Sequence, residues 1–146
     1  MGTPHAAQPN PEIPGRTLGI SAKSSGELIR QVERGFSFTA LRNMGTRSGI
    51  TISRLAEIIG IPERTLARRK AGGRLTSDES ERLLRIARVF EKAVDLFEGH
   101  GAEALDWLTS PKKALENQVP LVYSRTELGA REVENLIGRL QYGVFS

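Results

Sequence analysis

The chain has 146 residues, enough for one compact domain or two small helical ones. Hydrophobic residues make up 38% of it and charged residues 26%, the balance of a globular protein, and no run of about eighteen apolar residues is present, so a transmembrane helix is excluded. The chain has no cysteine, which excludes a disulfide framework and a thiolate metal site and is compatible with a reducing cytoplasm.

Charge is distributed unevenly along the chain. Residues 1–74 carry twelve Lys or Arg against five Asp or Glu, and residues 75–146 carry nine against twelve, so a basic first half precedes an acidic second half. A polyanion is therefore attracted to the first half and not to the second. The alternative is an uneven surface charge that serves no ligand.

The predicted elements begin after an N-terminal tail. Residues 1–16 contain repeated Pro and Gly and lack the basic start and apolar block of a secretory signal, so we expect a disordered tail. Helical periodicity follows in SGELIRQVERGF, SFTALRNMGTRSG and TISRLAEIIG. A long helix is predicted near residues 77–98, where Thr76 and Glu79 have the spacing of a capping box.

The remaining segments are also predicted to be helical. AEALDWL and PKKAL are typical of short helices, the second with Ser110 as its cap and Pro111 at its first position. The last helix is predicted to begin near Thr126 and to end at Gly143, and QVPLVYS is a weak candidate for a strand. The sequence therefore predicts an all-α protein.

The stretch LAEIIGIPERTLARRK has the pattern of a helix-turn-helix, in which two short helices are joined by a tight turn. Ala56 is the small residue where the helices cross, Gly60 supplies the positive φ of the turn, and Pro62 suits the first turn of the second helix. An unrelated helical hairpin is the alternative. Four apolar residues have the spacing of a miniature core: Leu55, Ile59, Ile61 and Leu66.

The second of these helices is predicted to read DNA. Arg64 and Arg68 lie four residues apart on one face and are assigned to base edges, although each arginine taken alone is better explained as a solvated side chain. Arg69 stands where many such motifs keep an apolar residue, so we expect the end of this helix to rest on the DNA backbone and not on the protein core. Residues assigned to phosphates or to the groove margin are Thr65, Arg69, Lys70 and Arg74.

The second half contains features that DNA binding does not require. It carries the one tryptophan, Trp107, which is best explained as a core aromatic, and it ends in LQYGVFS, whose apolar residues either fold back onto the core or serve a partner protein. Gly129 and Gly138 lie in one predicted helix, where each costs about 1 kcal/mol relative to Ala. We therefore expect close helix contacts there, within the chain or with a partner.

Both halves together carry a family resemblance. From about Leu28 to Ser146, through the helix-turn-helix stretch, ALDWLTSPKKAL and GAREVENLIGRLQYGVFS, the sequence resembles the Xre/MbcA/ParS family of type II antitoxins encoded beside RES-domain toxins. The resemblance implies a cytoplasmic bacterial antitoxin that occludes its toxin and represses its own promoter. RES toxins of this family consume NAD, so NAD belongs to the partner and no cofactor is expected here. The predicted domains are therefore the tail over 1–16, a helix-turn-helix domain over 17–98 and a toxin-binding domain over 99–146.

The toxin-binding motif of that family can be carried over position by position. The matching residues are Trp107, Leu108, Pro111, Leu115, Pro120, Leu121, Thr126, Gly129, Val133, Leu136, Gly138, Arg139, Leu140 and Gly143. The sequence departs from the family in ENQVPLVYSRT, which leaves Tyr123, Ser124 and Arg125 without a matching position. The residues predicted to contact the toxin are Thr126, Gly129, Arg139, Tyr142, Gly143, Val144, Phe145 and Ser146.

Two other functions compete with this interpretation. A stand-alone helix-turn-helix regulator, whose C-terminal domain dimerises or senses a ligand, needs the same DNA-binding half. An enzyme is disfavoured, because His5 lies in the tail, His100 lies in a turn, and no phosphate loop, paired-His spacing or nucleophile elbow is present. In the antitoxin interpretation we expect a homodimer that joins the toxin in a larger complex. Its two recognition helices bind operator DNA about 34 Å apart or a multiple of that distance.

Overall fold

The structure is a computed structural model that describes residues 13–143. Within that range it is all helical, with no β-strand, as predicted for the fold class. The helices are α1 (Ser25–Arg34), α2 (Phe38–Ser48), α3 (Ile52–Ile58), α4 (Glu63–Gly72), α5 (Ser77–Leu96), α6 (Gly101–Leu108), α7 (Pro120–Tyr123) and α8 (Glu127–Gln141). Two short 3-10 helices, Arg16–Leu18 and Lys113–Leu115, complete the described elements.

Helix α5 is the centre of the molecule, with α1, α2, α6 and α8 packed around it. The predicted capping box at its start is confirmed, because the Thr76 hydroxyl accepts the Glu79 N–H at 3.2 Å and the Glu79 carboxylate accepts the Thr76 N–H at 2.9 Å. Several of its apolar side chains, among them Leu83, Ala87 and Val89, are completely buried. One continuous core therefore extends from the helix-turn-helix to the C-terminal helices.

The segment over residues 13–20 is docked on α5. The carboxylate of Glu91, which is 4% exposed, accepts the N–H of Gly15 at 3.1 Å and that of Thr17 at 2.8 Å. A buried carboxylate needs such donors, because burying it without hydrogen bonds is costly. We expected a disordered tail over residues 1–16, but the last part of that range is attached to α5 through the hydrogen bond of Gly15. The earlier part of that tail lies outside the described residues.

Two local predictions from the sequence are wrong. The chain around PKKAL forms a 3-10 helix at Lys113–Leu115, and Ser110 does not cap it, because its hydroxyl donates back to the Asp106 carbonyl at 2.7 Å. The candidate strand QVPLVYS forms the short helix α7, since Pro120 occupies its first position and proline is preorganised to start a helix. In contrast, α8 begins after Thr126, as predicted.

Candidate functional site

Helices α3 and α4 form the predicted helix-turn-helix. The side chains of Leu55, Ile59 and Ile61 are at most 4% exposed and form the miniature core, with Leu66 half-buried beside them. The turn is closed by the Ile61 N–H, which donates to the Ala56 carbonyl at 2.8 Å, and Gly60 adopts a φ of 76°. That left-handed conformation is the one the sequence required of this glycine.

Helix α4 exposes most of its surface to solvent, and none of its residues is buried. Arg64, Arg68 and Lys70 are exposed, and Arg64 and Arg68 share a face because they are four residues apart. Thr65 is half-buried, and its hydroxyl accepts a hydrogen bond from Arg68 Nη2 at 3.3 Å. The exposed cations on one helix form a surface to which a polyanion is attracted.

Arg69 lies in a different environment from the other arginines of α4. Its Nε donates to Glu79 Oε1 at 2.8 Å, and the side chains of Arg69 and Glu79 are 24% and 7% exposed. Burial acts to raise the pKa of Glu79, but hydrogen bonds from Arg69 and Thr76 and the charge of Arg69 outweigh it, so this pKa is lowered. The end of α4 is thus attached to α5, contrary to the expectation that it rests on DNA and not on the protein.

Arg74 follows α4 and also has a partner inside the chain. Its guanidinium donates to the carbonyl of Gly35 between α1 and α2, and the Leu75 N–H donates to the Phe36 carbonyl at 2.9 Å. Gly35 has a φ of 84°, and a Cβ there would lie 2.2 Å from the Leu75 carbonyl oxygen, so the close approach requires glycine. The predicted phosphate contact of Arg74 therefore competes with a role in holding this crossing.

Two of the residues predicted to contact a toxin have roles within the chain. The Thr126 hydroxyl caps α8 by accepting the Gly129 N–H at 3.0 Å. A Cβ on Gly129 would lie 1.8 Å from the Tyr123 carbonyl oxygen, so this glycine makes the close internal contact that the sequence indicated. A Cβ on Gly138, in contrast, would meet no atom of the described residues within 4 Å.

The C-terminal end of α8 is open to solvent. Arg139 is exposed, Tyr142 is 81% exposed, and Gly143 has a φ of 69°. Leu128, at the start of the same helix, is 73% exposed. The sequence did not single it out, because it lies off the apolar stripe of α8.

An open groove lies between α8 and α5. Residues that line it include Arg88, Lys92, Glu134, Ile137, Gly138 and Tyr142. The predicted contacts Val144, Phe145 and Ser146 lie outside the described residues.

Ion pairs hold α8 against α5. Arg88 contacts Glu134 at 2.7 Å and Glu127 at 3.1 Å, and Lys92 contacts Glu134 at 3.2 Å. Partial burial acts to raise the pKa of Glu127, but the charge and hydrogen bond of Arg88, together with those of Arg85, outweigh it and lower this pKa. Arg85, Arg88 and Lys92 are spaced along one face of α5, and this sequence pattern could have predicted the ion pairs with α8.

Trp107 lies partly inside the C-terminal part of the fold. It packs against the core and is half-buried, while Lys112 Nζ lies 4.9 Å from its ring centroid in a cation–π contact.

No cluster of three or more His, Cys, Asp or Glu residues arranged for a metal ion occurs within residues 13–143. None of the helices in that range is long and apolar enough to cross a membrane.

Helix α4 of the helix-turn-helix and the C-terminal helix α8 are both attached to the central helix α5. This arrangement defines the class, a helix-turn-helix protein with an attached C-terminal module. Residues 27–88 match the antitoxin Xre-like helix-turn-helix domain, and residues 92–143 match the antitoxin Xre/MbcA/ParS C-terminal toxin-binding domain. The chain therefore belongs to the Xre antitoxin family. The first match ends and the second begins within α5, whereas the predicted domain boundary followed residue 98.

Curated relatives from three bacteria share most of this chain. An antitoxin Xre of Yersinia enterocolitica is 39% identical over 132 residues, which are 90% of this chain and 89% of the relative. An antitoxin Xre of Photorhabdus laumondii is 36% identical over 143 residues, 97% of this chain and 95% of the relative. An antitoxin Xre of Pseudomonas putida is 31% identical over 121 residues, with coverages of 82% and 74%. The similarity thus extends over both the helix-turn-helix and the C-terminal part.

Proposed function

We propose that the chain is the antitoxin of a type II system, that it binds and occludes a RES-domain toxin which consumes NAD, and that it represses its own promoter in the bacterial cytoplasm. The observation that carries this proposal is that two exposed surfaces, α4 and the end of α8, are both attached to α5. One chain can then hold a polyanion and a protein partner on different elements.

The DNA-binding half of the proposal rests on the exposed face of α4. Arg64 and Arg68 reach base edges, where arginine pairs with guanine, and Thr65 and Lys70 contact phosphates or the groove margin. The chain forms a homodimer in this proposal, because one short helix reads too few bases for useful specificity. The two recognition helices then lie about 34 Å apart or a multiple of that distance. Since phosphate contacts release counterions, the affinity falls steeply as salt rises.

The toxin-binding half rests on the end of α8. Arg139 and Tyr142 are exposed there, and Gly138 leaves the helix surface open. We place this end, together with residues 144–146, over the entrance to the toxin's active site, so neutralisation is steric. NAD is bound by the toxin in this mechanism, and the antitoxin has no catalytic role.

Co-expression with the product of the neighbouring gene tests the proposal. We expect the full chain to rescue growth and to co-purify with the toxin, and a chain that ends at Leu140 to lose both properties while it still binds DNA. Circular dichroism of the truncated chain is the control, because equal loss of DNA binding and helicity means that the domain has unfolded. If no toxic neighbour and no complex is found, a stand-alone regulator becomes the better account.

A further inference from the structure

The recognition helix is attached to the rest of the molecule largely through polar contacts. No residue of α4 is buried, and its one apolar residue in contact with the core, Leu66, is half-buried. Among the described residues, the side-chain link from α4 to α5 is the pair formed by Arg69 and Glu79. An element with so little apolar burial depends on such a link for its orientation.

The Glu79 carboxylate is held by the capping box of α5 as well as by its contact with α4. Its Oε1 accepts the Thr76 N–H at 2.9 Å in the capping box and accepts Arg69 Nε at 2.8 Å. The next turn of α5 holds the helix-turn-helix as well, since Arg82 Nε donates to the Ile59 carbonyl at 2.6 Å. The first turns of α5 are therefore a rigid support for both the turn and the end of the recognition helix.

We propose that Arg69 is a positioning residue, which sets the angle of α4 through Glu79 and does not itself contact DNA phosphates. The inference rests on the proposed DNA binding. The charge of Arg69 is compensated by a carboxylate that is 7% exposed, and its Nε is already bound. Arg64, Arg68 and Lys70 are exposed and supply the attraction to the polyanion.

The substitution Glu79→Gln separates positioning from a phosphate contact, because the two roles predict opposite signs. If Arg69 bound a phosphate, removal of the negative charge beside it would free the guanidinium and raise the affinity for DNA. If Arg69 positions α4, the same substitution weakens the link and lowers the affinity for the specific sequence. The same oxygen of Glu79, Oε1, accepts both the Thr76 N–H and Arg69 Nε, and the amide oxygen of Gln can accept both. The substitution therefore keeps the capping box and removes only the negative charge from the link.

The test uses full-length protein and two duplexes, one with the DNA directly upstream of the gene and one of equal length with that sequence shuffled. Glu79→Gln takes the negative charge out of the link, and Arg69→Gln takes the guanidinium out of it. We expect each to lower the affinity for the upstream duplex several-fold, up to on the order of tenfold. We expect Glu79→Gln to leave the affinity for the shuffled duplex equal or higher. Glu81→Gln, at an exposed position two residues further along α5, removes the same charge and is expected to keep the ratio between the duplexes.

A double variant and hydrogen exchange complete the test. Arg69→Gln combined with Glu79→Gln is expected to be no worse than either single change, because the two residues act as one link. In Glu79→Gln, amide exchange is expected to accelerate in residues 63–72 and to stay unchanged in residues 127–141.

Three results overturn the inference. They are an unchanged or higher ratio between the duplexes in Glu79→Gln, additive losses in the double variant, and unchanged exchange in α4. Equal binding of both duplexes by the wild type overturns the proposed promoter recognition instead, and the exchange measurement, which needs no DNA, then decides whether the link orients α4.

Discussion

At the scale of single residues, two glycines of α8 are predicted to respond oppositely to the same substitution. Gly129→Ala places a Cβ 1.8 Å from the Tyr123 carbonyl oxygen, so we expect a large loss of stability. Gly138→Ala meets no atom of the described residues and should raise the free energy of unfolding by up to about 1 kcal/mol. Thermal denaturation of both variants checks this pair.

The same pair of variants tests the proposed toxin-binding surface. If the partner approaches the backbone at Gly138, Gly138→Ala should weaken the complex although the free antitoxin is more stable. Co-purification with the toxin, measured beside the melting temperature, separates the two effects. Full binding by a stabilised Gly138→Ala variant would contradict a close approach at this position.

At the scale of elements, the ion pairs between helices predict how stability depends on pH. Glu79 and Glu127 have lowered pKa values in the folded state, so each stabilises the fold above the ordinary glutamate pKa of about 4.3. That stabilisation is lost as the pH falls through the lower folded-state pKa. We expect the free energy of unfolding to be nearly constant between about pH 7 and pH 5 and to decrease below about pH 4.3.

Chemical denaturation across this range checks the acid sensitivity. Glu127→Gln should reduce the stability at neutral pH and flatten the acidic decrease, because the neutral amide has no proton to gain. Glu132→Gln on the same helix is the control, since Glu132 is exposed and forms no ion pair within residues 13–143. An identical acid profile for both variants would show that Glu127 is not the group responsible.

Local patterns predicted the elements better than their attachments. Two helix starts and one turn could be predicted, because each depends on residues only a few positions apart. The starts are marked by Thr76 with Glu79 and by Thr126, and the turn is marked by Gly60. The sequence does not distinguish Arg69 from the other arginines of α4. Its partner Glu79 belongs to the next helix, and the two side chains meet because the chain folds back between α4 and α5. The Glu91 contacts join residues about 75 positions apart and leave no local pattern.

At the scale of the whole molecule, the shared helix α5 predicts a single unfolding event. Its buried face contacts both the helix-turn-helix half and α8, and the core is continuous between them. Neither half can keep its side of α5 ordered when the other half melts. We expect one calorimetric transition, with the calorimetric and van't Hoff enthalpies equal, and two separated transitions would contradict this.

The docked segment over residues 13–20 attaches the early part of the chain to the central helix α5. Glu91 is buried and is held by the N–H groups of Gly15 and Thr17. Cleavage by a protease after Thr17 would leave a fragment that can drift away, and the carboxylate would then remain in the interior without its donors. Because Glu91 lies on the helix that both halves share, we expect a cut in this outlying segment to weaken the proposed binding of DNA and the proposed binding of a toxin together.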